Sequence, residues 1–364
     1  MFERLSTRPE AMGDAARLLL AASRERSSLA AADLLLPEQA RLSEWQRVTA
    51  SALLLRLVRS VEDSLRVCLA EDFRGEEALH AALGSDRIEI ALPLLERAQM
   101  LRDPELGTVL VRRVEEHRYW KEYAASGGDD LLAELVRDND EAIAREAMGL
   151  LVARSRRFDR FQEPLMGQAD LPAELQHRLV WMIAAALRQY MVQHHRIPSG
   201  KADAAISAAA TDLIASCDEG HNLEAGCMRL ARALQNAGRL EGVDLARMLD
   251  EGQLPLFVAA LAVRCSLDHA AAWEILSDPE GRGSALLLRS GRIDRDSAAW
   301  ILLMLNSRGR LFSGADGDAA AAQLDLFDGM TEPEGLEIIR LWQVDPGYRA
   351  AIARLSTRQR PALP

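Results

Sequence analysis

Apolar residues along this chain recur at the three- and four-residue spacing of a helix face, and no period-2 run of β-branched residues is long enough for a strand. Two stretches repeat one pattern. Ala78-Leu79-His80-Ala81-Ala82-Leu83 is followed by the polar turn Gly84-Ser85-Asp86, then by Arg87 to Leu95. Leu131 to Val136 is followed by Arg137-Asp138-Asn139, then by Asp140 to Met148. Leu79 aligns with Leu132, Leu83 with Val136, Ile90 with Ile143, Ala91 with Ala144 and Leu95 with Met148. Neither helix pair can cover its own apolar face, so the pattern predicts units that stack on their neighbours. The expected fold is all-α, a HEAT-like α-solenoid of stacked short helical pairs with a C-terminal helical segment.

Punctuation along the chain divides it further. Pro9 suits a first helical position and predicts a helix to Leu35, and Pro37 stops it or starts the next. Leu42 to Arg59 reads as a second helix, with Trp45, Val48, Leu53, Leu55 and Val58 in a broad stripe, and Ser60 marks a new start. Asp86 is expected to cap the next helix with Glu89 as its capping-box partner, and Pro93 to kink it. Asp103-Pro104-Glu105 is a further start, and His117 to Ala125 reads as a separate aromatic helix ended by Gly127-Gly128. The stretch Arg154 to Asp170 reads as an internal boundary before an amphipathic helix over Pro172 to Gln193. Shorter helices follow to residue 306, then a polar break at Ser313 to Asp318 and a last helical segment. The expected organisation is N-terminal helices over 1–72, a HEAT-like repeat region over 73–160, a second helical-repeat region over 161–312, a C-terminal helical segment over 313–356 and a disordered tail over 357–364.

Composition narrows the function. The chain is 49% hydrophobic, enough for a sizeable core, and its richness in Ala and Leu favours helix over sheet. A net charge of −11 argues against a nucleic-acid groove, which draws its affinity from clustered Lys and Arg on phosphates. The charged start Met1-Phe2-Glu3-Arg4 does not read as a signal peptide. No run reaches the roughly 18 apolar residues of a membrane span. Four scattered cysteines without a CxxC suit a reducing cytoplasm.

Ile88-Glu89-Ile90-Ala91-Leu92-Pro93-Leu94-Leu95 and Leu101-Arg102-Asp103-Pro104-Glu105-Leu106, within the region Leu79 to Ser155, resemble the bacterial family known only as domain of unknown function 2336. Phe257-Val258-Ala259-Ala260-Leu261-Ala262 and Ile275-Leu276-Ser277-Asp278-Pro279 resemble its second half. The resemblance extends over about two thirds of the chain and implies a helical-repeat fold. It brings no activity and no catalytic residues with it. His117-Arg118-Tyr119-Trp120-Lys121-Glu122 fits the pattern least well.

Candidate chemistry is sparse. Cys217, His221 and Cys227 are close enough to ligate zinc but lack a fourth ligand and a finger spacing, so a buried thiol and a surface imidazole are the plainer reading, and no metal is expected. His194-His195 beside Arg196 suits a solvated helix C-terminus. There is no G-x-S-x-G and no P-loop, and Gly281-Arg282-Gly283 follows a helix rather than a strand, so neither a catalytic residue nor a cofactor is expected. Arg154, Arg156, Arg157 and Arg160, interleaved with Phe158 and Phe161, form a basic stretch able to meet phosphate or an acidic partner; in an acidic chain, pairing between helices is favoured. Gln323-Leu324-Asp325-Leu326-Phe327 looks like the peptide that binds the bacterial sliding clamp, Leu and Phe filling an apolar pocket while Gln bonds at its rim. Gly314, Gly317 and Gly329 flank it and would leave it accessible. Against that, Ala319 to Phe327 also reads as a helix with Leu324 and Phe327 inward at i, i+3, and an apolar stripe is as a rule core.

Together these features predict a non-enzymatic, cytoplasmic scaffold or adaptor that binds an unidentified protein partner, without direct nucleic-acid or membrane contact. The alternative is a sliding-clamp-associated factor in DNA replication or repair acting through Gln323 to Phe327. A third reading, an enzyme, requires a pocket where titratable groups converge.

Overall fold

The computed structural model describes residues 42–124, 130–216, 222–278, 281–308, 317–345, 347–349 and 351–352. The helix expected over Pro9 to Leu35 and the tail over 357–364 lie outside them. Among the described residues the chain is all-α. The single β feature is an isolated antiparallel bridge between Phe158 and Pro164. The chain divides into two compact units, each discontinuous in sequence, rather than into the contiguous spans expected. The first joins Leu42–Glu115 to Val152–Ala225, and the second joins Glu116–Leu151 to the residues from Gly226 onward.

In the first unit, α1 (Glu44–Asp72) is one unbroken helix through Ser60. Its start is set by Ser43, whose hydroxyl accepts from the Gln46 amide while the Ser43 amide donates to the Gln46 side-chain oxygen. Ser60 fails as a start because Leu53, Leu57, Val61, Leu65 and Leu69 continue one buried stripe across it. This stripe packs against α2 (Glu77–Leu83), α3 (Ala91–Arg97), α7 (Ala173–His194) and α8 (Ser199–Ala215). The α7 residues Leu175, Leu179, Ile183, Leu187 and Met191 supply the facing core. α4 (Pro104–Ala124) opens as expected, the Asp103 carboxylate accepting from the amides of Glu105 and Leu106 at 2.9 and 3.2 Å. It then runs on through His117 without the break expected there.

A buried ion pair shapes the turn between α2 and α3. Arg66, one turn after Glu62 on α1, donates to the carbonyls of Ala82, Leu83 and Ile88 at 2.7, 2.8 and 2.9 Å, and to that of Ser85. It thereby satisfies the C-terminal carbonyls of α2. Glu62 accepts from Arg66 at 3.2 Å and from the amides of Ile90 and Ala91, each at 3.1 Å, which caps the start of α3. Asp86 therefore does not cap this helix. Pro93 sits in the first turn of α3, where its missing N–H is harmless, rather than at a mid-helix kink.

The second unit carries the other copy of the sequence pattern, α5 (Leu131–Leu135) and the start of α6 (Glu141–Ser155). Leu79 and Leu132 are both fully buried, as are Ile90 and Ile143. The match loosens at the end: Leu95 is buried while Met148 is exposed, with Ala147 taking the inward place. α9 (Leu223–Asn236) begins in the first unit and ends in the second. Five further helices then pack mostly on near neighbours: α10 (Gly242–Asp250), α11 (Leu254–Arg264), α12 (His269–Leu276), α13 (Arg282–Ser290) and α14 (Arg295–Arg308). α12 and α13 approach so closely that a Cβ on Gly283 would lie 1.8 Å from the Ile275 carbonyl oxygen. α15 (Gly317–Gly329) and α16 (Glu332–Ile339) close over α13. No described helix is long and apolar enough to cross a membrane. α11 and α12 reach that length together, but they meet at 105° and their apolar residues are core.

Candidate functional site

The clamp-like sequence lies on α15, whose Ala319 to Ala322 run favours helix and whose ends are glycines. Gln323 and Phe327 stand one turn apart and face inward, 3% and 1% exposed. The Gln323 side-chain oxygen accepts from Asn306 Nδ2 at 2.9 Å, and Asn306 also donates to the Leu302 carbonyl at 2.7 Å. The Arg289 guanidinium lies over the Phe327 ring, 5.1 Å from its centroid, and Arg289 Nε donates to the Met330 carbonyl at 2.7 Å. Leu324 and Leu326 are half-buried and Asp325 is exposed. The buried pair is thus Gln323 and Phe327, not the expected Leu324 and Phe327. A clamp pocket takes an extended peptide, so folded α15 keeps the rim residue Gln323 and the anchor Phe327 of this one out of reach.

The basic stretch divides in two. Arg157 is buried and bridges two carboxylates of its own unit. It donates to Asp170 at 2.9 and 3.1 Å and to Glu224 at 3.0 and 3.1 Å, and Arg112 meets Glu224 at 3.0 Å. Arg113 supports this knot by donating to the Arg157 carbonyl at 2.8 Å and by lying over Phe158. This is the pairing between segments that an acidic chain favours. Arg154 is half-buried, whereas Arg156 and Arg160 are exposed. Phe161 is exposed beside Arg160.

Cys217 and His221 lie outside the described residues, and Cys227 is buried in α9. Among the described residues no three His, Cys, Asp or Glu side chains gather to hold a metal ion. His194 and His195 end α7 with both rings against Tyr190, at 5.0 and 5.1 Å between centroids. The thiol of Cys265 is pushed up to about 12 by burial, which keeps it protonated and a poor nucleophile.

Two surface features lie apart from the candidate residues of the sequence. One is an open polar cleft in the second unit, lined by Asp130, Glu134, Arg137, Asp138, Asn139 and Arg239. Its carboxylates are already engaged. Asp138 is held below the usual carboxylate range by the Asp140 amide and by Arg239, and Glu134 by its bond to Arg247. The other is apolar. On α14, Trp300 is 53% and Leu303 is 47% exposed, although Ile301, Leu302, Met304 and Leu305 of the same helix are buried. α10 approaches this helix at Gly242, whose Cβ position would meet Ser297, and the next residue, Val243, is 69% exposed. The run from Ala298 to Leu305 is apolar, but Asp296 and Ser307 fall on the same face as Trp300 and Leu303, at four-, three- and four-residue steps, and all four are exposed.

A family model described as an uncharacterised protein conserved in bacteria, DUF2336, matches residues 122–339, more than half of the chain. The chain belongs to this family. The DUF2336 span takes in the helices from α5 to α16, the basic stretch, the clamp-like sequence and the exposed face of α14. It also contains the Phe257 and Ile275 segments on which the resemblance partly rested, whereas the Ile88 and Leu101 segments precede it. No curated protein and no solved structure matches the chain.

Proposed function

We propose that this DUF2336 member is a non-enzymatic protein-binding scaffold whose helices stack in a HEAT-like array. The reading is carried by the exposed face of α14. Trp300 and Leu303 are one turn apart and therefore neighbours on the helix surface. A Trp left half in solvent beside a Leu, on the outward face of a helix whose other large apolar residues are buried, is the composition of an interface anchor. Support for stacked helices comes from the second unit, where α10 packs on α11, α11 on α12, α12 on α13 and α13 on α14, and α14 returns to pack on α10. Arrays of this kind present extended surfaces to partners. The reading keeps the cytoplasmic setting, in which free thiols such as Cys68 and Cys265 persist.

Affinity capture from native lysate tests it, comparing the wild type with a Trp300→Ser/Leu303→Ser variant whose fold is checked by circular dichroism. Both residues are partly exposed, so the variant is expected to fold and to lose one specific partner. An identical set of captured proteins, or none from either, overturns the reading.

A further inference from the structure

The loop from Phe158 to Pro164, in the first unit, is built to hold an aromatic side chain in water. Its base is the Phe158–Pro164 bridge, closed by the Leu165 amide donating to the Arg157 carbonyl at 2.7 Å. Inside it, the Asp159 carboxylate accepts from the amides of Phe161 and Glu163 at 2.8 and 3.0 Å. Those bonds hold Asp159 below the usual carboxylate range, the Glu163 amide most of all. Gln162 adopts the left-handed conformation, φ 61°, that closes the tip. Arg56 fastens the loop to α1 by donating to the Pro164 carbonyl at 3.2 Å. The result is a short, internally bonded loop with Phe161 at its tip, 68% exposed. The Arg160 guanidinium covers one face of that ring, 4.5 Å from the centroid. Arg156 is exposed at the end of α6, and Val152, one turn earlier, is 45% exposed. Neither Arg156 nor Arg160 forms an ion pair with a described residue.

We propose that Arg156, Arg160 and Phe161 dock an acidic segment of a partner protein, an apolar side chain of that segment packing on Phe161 while its carboxylates meet the two guanidinium groups. The proposal rests on the protein-binding reading and names the partner's chemistry. A rigid loop loses little entropy on binding, so an exposed Phe on it is an efficient anchor. Charge complementarity sets the sign of the partner: the chain is acidic overall, yet this surface offers two exposed arginines that form no direct ion pair with a described residue, although Asp159 lies within electrostatic reach of Arg160. A nucleic-acid strand fits less well, because its affinity comes from a track of many phosphate contacts, and two guanidinium groups do not make a track.

The test is selection of a random displayed peptide library on the full chain, followed by affinity measurement with a synthetic copy of the enriched peptide. The expected peptides carry Asp or Glu flanking an aliphatic or aromatic residue. Phe161→Ser, and separately Arg156→Glu/Arg160→Glu, are expected to weaken that peptide by about tenfold or more, and added salt to weaken it further. The mutated side chains are exposed, and circular dichroism confirms that each variant folds. The Trp300→Ser/Leu303→Ser variant is expected to bind the peptide unchanged. Enrichment of acid-free peptides, no enrichment over bare support, equal affinity of the loop variants, or loop-dependent binding of single-stranded oligothymidine in place of peptide each overturns the proposal. If the loop fails while the Trp300/Leu303 variant still loses its captured partner, only the loop assignment falls.

Discussion

Arg66→Met removes a guanidinium that is 6% exposed and leaves Glu62, 4% exposed, without its cation. It also strips the donor from the carbonyls of Ala82, Leu83, Ser85 and Ile88. Each buried polar group left unsatisfied costs roughly 1–3 kcal/mol, though carbonyls at a helix end recover part of that from water. Breaking one side of a buried pair costs about 3–5 kcal/mol in total, a large fraction of a domain's stability. Arg66→Lys keeps the charge but cannot fork to several carbonyls, so it is expected to fall between the two. Two readouts check this. Urea unfolding followed by circular dichroism gives the loss of stability. Hydrogen exchange at Ile90 and Ala91, whose amides bond Glu62, reports whether the start of α3 has come loose. A midpoint for Arg66→Met within about 1 kcal/mol of wild type, with unchanged protection at those amides, would refute the role given to this pair.

Other consequences follow from single sites. Gly283→Ala is expected to destabilise by roughly 3 kcal/mol or more, because its Cβ would meet backbone 1.8 Å away, whereas Gly149→Ala, with open space around it on α6, should stabilise by up to about 1 kcal/mol; paired thermal melts check the opposite signs. Phe327→Ala should cost about 3–5 kcal/mol in urea unfolding if the clamp-like sequence is core, and a near-neutral effect would reopen the extended-peptide reading. Asp138 and Glu134 have folded-state values below their ordinary 3.8 and 4.5. Their stabilisation is therefore fully present above those values and is lost as pH falls through the depressed folded ones. Asp138→Asn should make the acid limb of a stability–pH profile shallower and leave its alkaline limb unchanged; an equal change on both limbs counts against the ion pair with Arg239.

What was legible depended on whether the deciding contact was local. The Asp103-Pro104-Glu105 start and the inward faces of Leu79, Leu132, Ile90 and Ile143 rest on bonds and periodicity within a few residues, and all stand in the structure. The cap on α3 comes from Glu62, on a different helix, a contact that no local spacing around Asp86 can reveal. Ser60 looked like a start because serine caps helices, yet the stripe it interrupts on the solvent side is continuous on the buried side. The four arginines read as one basic stretch until long-range partners separated them: Asp170 and Glu224 claim Arg157, while Arg156 and Arg160 stay in water. Trp300 had a weak signal: Asp296 and Ser307 fall on its face of the helix and mark it as outward, but the unbroken apolar run from Ala298 to Leu305 hides it.

In-cell photo-crosslinking measures the proposed interface most directly. A benzophenone side chain replaces Leu303 on the exposed face of α14, or Val67, 69% exposed on α1, as the control. A discrete adduct with one protein from position 303 and none from position 67 is expected. No adduct from 303, or the same diffuse set from both positions, contradicts binding through this surface.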